Sequence, residues 1–283
     1  MVSIKDLRKM AVSELGMVGC DSPKADVDTI LIKLLGLTRT QIVRGEKELC
    51  DNEAELFKKS VERLKKGEPV QYIVGECEFM SLPFVVNSST LVPRADTETL
   101  VEEIIGLYDN DRKISVMDIG TGTGCIAVSL AYYLKKAKVW AIDISQSAID
   151  VAIENANAAG VSQRVEFIRH DIMKGFPQLD TEFDVVVSNP PYIPKEDYLH
   201  LDKKVKDFEP ASALDGGEDG LDFYRQIVKV VKLKEGGVLG LEVGINQAEQ
   251  VSQIMTERFS EIRTVKDLSG IDRVVLGKIK RGC

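Results

Sequence analysis

Ile114-Ser115-Val116-Met117-Asp118-Ile119-Gly120-Thr121-Gly122-Thr123-Gly124-Cys125 is the stretch on which the reading of the fold turns. An apolar run passes into alternating glycines and then into the helical pattern of Cys125–Leu134. Strand, tight turn and helix are expected in that order. Glycines at 120, 122 and 124 let the turn tighten and let a ligand approach backbone N–H groups at a helix N-terminus. The spacing offers no phosphate-loop lysine, and G-x-G-x-G departs from the dinucleotide pattern G-x-G-x-x-G. Taken alone, the turn is also compatible with a connection that binds nothing.

Working outward, strands and helices alternate. Val139–Ile142, Val165–Ile168, Phe183–Ser188 and Gly237–Val243 read as strands, and Ser147–Ala158, Phe223–Val231 and Gln247–Phe259 as helices. The closing pair Ile262–Asp267 and Arg273–Gly277 leaves no room for a helix between them. Apolar strands separated by amphipathic helices predict an α/β fold, a mostly parallel sheet covered on both faces, with one antiparallel strand from the terminal hairpin. Upstream, Ile4, Leu7, Ala11, Leu15, Ile30, Leu31, Leu34, Leu56, Val61 and Leu64 recur at helical spacing. Three to five short helices are expected, with N-cap signals at Asp21-Ser22-Pro23 and at Asp51. From Val70 to Pro93 the segments Tyr72–Val74, Glu78–Met80 and Phe84–Val86 read as extended, and Thr97–Tyr108 returns to helix. The expected domains are a helical bundle over 1–69, a β-hairpin connector over 70–95 and an α/β domain over 96–283.

The chain has 283 residues, 44% hydrophobic and 29% charged, enough for a sizeable core. Its 37 basic and 45 acidic residues give a net charge of −8, without the basic footprint of a nucleic-acid binder. The acidity is unevenly placed: residues 1–69 carry 13 basic and 12 acidic side chains, and the remainder carries 24 and 33. Cys20, Cys50, Cys77, Cys125 and Cys283 form no C-x-x-C pair and read as reduced thiols. His170 and His200 have no partners at metal-ligand spacing, so no metal site is expected. Without an apolar run of membrane-spanning length or a signal sequence in Met1–Gly16, a cytoplasmic location is expected.

Further residues at strand ends carry chemistry. Asp143 ends the second strand, 25 residues after Asp118, where doubly wound folds place a carboxylate that accepts from ribose hydroxyls. Asp171 and Ile172 follow the third strand and suit an adenine amino group and ring, or equally a solvated strand end. Asn189-Pro190-Pro191-Tyr192 follows Phe183–Ser188 directly. Its prolines fix the chain so that the Asn189 side-chain oxygen and the Pro190 carbonyl can converge as acceptors, with Tyr192 available to pack on a plane. Neither acceptor is a nucleophile or a strong base. Such a pair suits a planar, weakly nucleophilic –NH₂ group whose two N–H bonds need orienting.

Gly120–Gly124, Asp143 and Asn189–Tyr192 together resemble class I S-adenosylmethionine-dependent methyltransferases that act on amide or exocyclic amino nitrogens. Leu91–Glu98, Glu209-Pro210 with Ala213–Gly217, Asp219–Tyr224 and Asp267–Arg273 narrow the resemblance to the PrmC/HemK family. Members of that family methylate N5 of the glutamine in the Gly-Gly-Gln motif of peptide chain release factors. The likeness spans nearly the whole chain, with Ala95 standing where the family usually has a second proline. It implies a Rossmann-like sheet of seven strands and S-adenosyl-L-methionine as cofactor. Gly120, Thr121, Gly122, Thr123 and Gly124 would then cradle the methionine part, Asp143 the ribose, and Asp171 and Ile172 the adenine, with Asn189 also near the cofactor. Asn189, Pro190 and Tyr192 would hold the substrate amide, beside Pro191 and Arg94. For Arg94 and Glu98, helix capping and surface charge are equally good readings. The expected partner is a release factor, bound by a monomer whose helical domain docks it, with no nucleic-acid substrate.

Three rivals remain at this point. An adenine-N6 DNA methyltransferase would also use N-P-P-Y on a flipped base, against an acidic catalytic part. A glutamine methyltransferase of a large-subunit ribosomal protein would share the motifs. A cofactor-binding module without catalysis would require damage to the glycine turn or to N-P-P-Y, and both are intact.

Overall fold

The computed structural model describes residues 2–201 and 203–282, so Cys283 lies outside the described residues. The chain divides into two compact units, residues 2–76 with 203–208 and residues 77–201 with 209–282.

The first unit is helical: β1 (Val2–Ser3), α1 (Ile4–Met17), α2 (Pro23–Lys33), α3 (Arg39–Arg44), β2 (Glu48–Leu49), α4 (Asp51–Lys65) and α5 (Val70–Val74). Leu7, Leu15, Ile30, Leu31, Phe57, Val61 and Ile73 form its core. Pro23 opens α2 after Ser22, as expected. Asp51 does not cap α4; it is the first helical residue, and the cap is Cys50, whose N–H donates to the Glu53 carboxylate at 2.8 Å. A second correction concerns Tyr72–Val74, which is helical and not extended. Pro69 starts that turn, Gly75 ends it at φ 79°, and buried Val70 and Ile73 share one face within the helical core. Packing overrides the strand preference of this β-branched run. The unit therefore runs to Glu76, past the expected boundary at 69, and the connector shrinks to a short hairpin.

That hairpin pairs β3 (Glu76–Phe79) with β4 (Leu82–Val85) through Met80 and Ser81, both at positive φ as a tight two-residue turn requires. Then follow α6 (Ala95–Gly106), β5 (Ser115–Ile119), α7 (Cys125–Tyr133), β6 (Lys138–Asp143), α8 (Gln146–Ala158), β7 (Val165–Arg169) and β8 (Phe183–Ser188). After them come α9 (Lys195–His200), α10 (Lys203–Phe208), α11 (Asp222–Val230), β9 (Leu233–Glu242), α12 (Ala248–Met255), β10 (Phe259–Lys266) and β11 (Asp272–Ile279). The helices α9 and α10 fall in a segment for which the sequence pattern suggested no element.

Seven strands lie in the order β10-β11-β9-β8-β5-β6-β7. β5 to β9 run parallel, and β11 is antiparallel to both neighbours, the single reversed strand expected. Alternate residues face opposite sides. Val116, Val185 and Val187 enter the core shared with α6 and α7, and Met117, Val186 and Leu239 enter the core shared with α11 and α12. With both faces covered, the carboxyl ends of the parallel strands are left to build a site.

Candidate active site

At the carboxyl end of β5 the chain turns sharply. Gly120 and Thr121 N–H groups both donate to the Ile142 carbonyl, at 2.8 and 3.0 Å, which ties the turn to β6. Gly120 and Gly122 hold φ at 73° and 55°, and a Cβ on either would meet nothing within 4 Å. The space above the loop is thus open, and it belongs to a cavity of about 460 Å³, within the range of small-molecule sites. Beneath the turn, the buried Asp118 carboxylate accepts from the Thr121 hydroxyl at 2.6 Å. Burial pushes this carboxyl up to about 7.

Asp143, at the end of β6, accepts from Gly122 N–H on one oxygen and from Ser145 N–H on the other, both at 2.9 Å. Each oxygen keeps a lone pair, and the residue lines the cavity. Asp171 accepts from Met173 N–H at 3.0 Å and caps the short turn Ile172–Lys174; Ile172 is buried, and both line the cavity. His170 also lines it, with Nε2 2.8 Å from the Gly175 carbonyl.

On the opposite wall, the Ser188 hydroxyl donates to the Ile119 carbonyl at 2.7 Å and fixes the end of β8 beside the glycine turn. Asn189, Pro190 and Pro191 follow and line the same cavity. The Asn189 Nδ2 donates to Thr97 Oγ1 at 3.2 Å, a bond that spends the amide's donor end on α6. Its carbonyl end remains as an acceptor.

Of the remaining expected residues, Arg94 lines the cavity and Tyr192 and Glu98 do not. Tyr192 is not among the residues lining the cavity. Its ring packs over Gly244, where even a Cβ would come within 2.9 Å of it, and its carbonyl accepts from Gln247 Nε2 at 2.9 Å. Burial raises its phenol. The aromatic residue that does line the wall is Phe223. Arg94 lines the cavity and ion-pairs with the buried Glu209 at 2.6 Å, while Glu98 turns away and accepts Met80 N–H at 2.5 Å, supporting the hairpin turn.

Pattern reading missed Asn155 on α8, which donates to the Thr123 carbonyl at 2.9 Å and so holds the glycine turn from behind. It also missed Thr97, Ile142, Ile144 and the wall at Pro210–Ala213. Only the last carried a signal, since Glu209-Pro210 and Ala213–Gly217 flank it in the sequence; in that glycine-rich stretch a Cβ on Gly216 would come within 2.8 Å of the Tyr192 backbone. Among the described residues no group of histidine, cysteine and carboxylate side chains could hold a metal ion.

The donors and walls suit S-adenosylmethionine: an acceptor for a ribose diol, apolar isoleucines for a flat base, and an open glycine cradle. Residues 110–273 match the family model for a methyltransferase domain, and residues 6–75 match that of the PrmC N-terminal domain. A crystal structure of a methyltransferase from Pyrococcus furiosus superposes with a TM-score of 0.51 at 16% identity, over 71% of this chain and 90% of that one, which speaks to the fold alone. Fold and site thus define a class I S-adenosylmethionine-dependent methyltransferase.

A release factor glutamine methyltransferase from Geobacter sulfurreducens is 43% identical over 265 residues, 92% of this chain and 91% of that protein. One from Fusobacterium nucleatum is 38% identical over 280 residues, 96% of this chain and 78% of that protein. The chain belongs to the release factor glutamine methyltransferase family. The DNA and ribosomal-protein alternatives left open by the motifs are not favoured.

Proposed function

We propose that this enzyme methylates the side-chain amide nitrogen, N5, of the glutamine in the Gly-Gly-Gln motif of peptide chain release factors. The observation that carries the reading is the fixed Asn189, whose donor end is bound to Thr97 at 3.2 Å on one wall of a cavity whose other wall is the glycine turn with Asp143. S-adenosylmethionine supplies an electrophilic methyl group on a sulfonium. The protein's part is to hold the amide nitrogen in line with it. Asn189 Oδ1 and the Pro190 carbonyl accept the two amide N–H bonds, which orients the nitrogen and increases its electron density. An amide is too weak an acid for a side chain to deprotonate first, so the proton leaves after the N–C bond begins to form.

Gly120–Gly124 receive the methionine end of the cofactor, Asp143 the ribose, and Asp171 with Ile172 the adenine. Arg94, held by Glu209, and Pro191 shape the substrate side. The helical unit serves as the docking surface for the release factor. The enzyme works as a cytoplasmic monomer on protein and not on nucleic acid, in keeping with its acidic catalytic part. No helix among the described residues is long and apolar enough to cross a membrane.

Incubation with radiolabelled cofactor and release factor tests the assignment. Label is expected on the wild-type factor and absent when its motif glutamine is replaced by alanine; equal labelling of both would reject the site.

A further inference from the structure

Glu242 is the last residue of β9 and only 2% exposed. Its Oε2 has no hydrogen-bond partner among the described residues. The carboxylate lies beside the Thr97 hydroxyl and the Asn189 amide, and both favour its charged form. Arg273 on β11 acts in the same direction, whereas Asp96 on α6 opposes it. Tyr192, Tyr224 on α11 and Cys125 on α7 also feel the Glu242 charge.

A buried carboxylate that costs this much desolvation calls for a reason. Asn189 Nδ2 donates to Thr97 Oγ1. A threonine hydroxyl has one proton, and with its oxygen engaged by Asn189 that proton is available to Glu242. An ionised carboxylate only accepts, so the row Glu242, Thr97, Asn189 runs in one direction and spends the amide's donor end inward. A protonated or amidated partner could donate instead, and Asn189 could then turn over and present its own N–H groups to the substrate's N–H groups.

We propose that Glu242, acting through Thr97, is a positioning residue that keeps the Asn189 carbonyl oxygen facing the substrate amide. The proposal rests on the reading of Asn189 as acceptor for that amide. Burial raises the Glu242 carboxyl to about 7, so the share of chains with a correctly held Asn189 changes across the working pH range.

The test measures methyl transfer to a release factor from about pH 6 to pH 9. Wild-type kcat is expected to rise through about pH 7 and level off. Glu242→Gln should lower the plateau kcat about 10- to 100-fold and abolish the rise, with KM for the release factor and cofactor affinity unchanged. Thr97→Val should do the same, and Thr97→Ser should restore both rate and pH profile. A merely structural role would instead lower thermal stability and cofactor affinity together and leave the shape of the profile alone. Wild-type kcat and profile in Glu242→Gln, or in Thr97→Val if the former does not fold, overturns the proposal. Asn189→Ala separates the two readings: its full activity would remove the amide-acceptor role itself, whereas its inactivity beside an active Glu242→Gln would remove only the Glu242 role.

Discussion

The two halves of the sheet's carboxyl edge are built by different means. On the cofactor side, around β5, β6 and β7, the backbone does the work: glycine N–H groups donate to Ile142 and Asp143, and the groups that make the site lie within a few residues of one another or of a strand end. On the substrate side, around β8, β9 and β11, side chains do it. Asn189 reaches Thr97 across 92 residues of sequence, Arg94 reaches Glu209 across 115, and Arg273 bridges Asp267 and Asp96. Backbone turns suit a ligand that never changes. Interlocked side chains suit a surface that must receive one particular amide from a large protein.

That contrast can be broken most directly at Asn189. Asn189→Ala is expected to lower kcat about 1,000-fold while cofactor affinity, measured by calorimetry, stays at the wild-type value. Loss of cofactor binding in this variant would mean that the two halves are not separable.

Each half also holds one buried carboxyl near 7, Asp118 on the cofactor side and Glu242 on the substrate side. Both lie above the ordinary carboxylate range. The folded chain therefore keeps protons that the unfolded chain releases between about pH 4 and pH 7, and each group withdraws stability as the pH rises through that window. Relative to wild type, Asp118→Asn and Glu242→Gln should each gain on the order of 3 kcal/mol in urea unfolding between pH 5 and pH 8. Curves that run parallel to wild type at every pH would contradict this.

Asp143→Ala should weaken cofactor binding about 30-fold, because it removes an acceptor from the site and unties Gly122. Turnover at saturating cofactor should change far less, and a kcat loss matching the affinity loss would tell against the division of labour. The smallest effect is expected from Arg94→Ala, about 1 kcal/mol of stability, since the arginine is half-exposed and Glu209 can take up a proton when unpaired. Its influence should fall on KM for the release factor.

The same contrast explains what could be read from the sequence. The glycine turn, Asp143 and N-P-P-Y were legible because each places its chemistry within a few adjacent residues at the end of an apolar strand. The mostly parallel sheet and its single reversed strand followed from the spacing of apolar runs, whereas the strand order came only with the fold. Glu242 and Thr97 carried no such signal: a carboxylate ending a strand and a threonine in the first turn of a helix ordinarily face water, and only the fold brings them under Asn189. Tyr192 makes a related point, because its ring packs over Gly244, a residue 52 positions away that no local pattern connects to it. In the helical unit, Tyr72–Val74 reads as extended yet belongs to the helix Val70–Val74, since five residues are too few for periodicity to outweigh β-branching.

Asn155 carries a consequence for the hairpin. Besides holding Thr123, its side chain accepts Val85 N–H at 2.7 Å and donates to the Val85 carbonyl at 3.0 Å. A single amide thus pairs with β4 as a neighbouring strand would, closing an exposed edge against foreign strands at the expense of one residue. Two of its three bonds go to Val85, so a slip of the hairpin by one position would break both and leave only the bond to Thr123. The register of two short strands and the shape of the cofactor loop are thereby set by the same side chain.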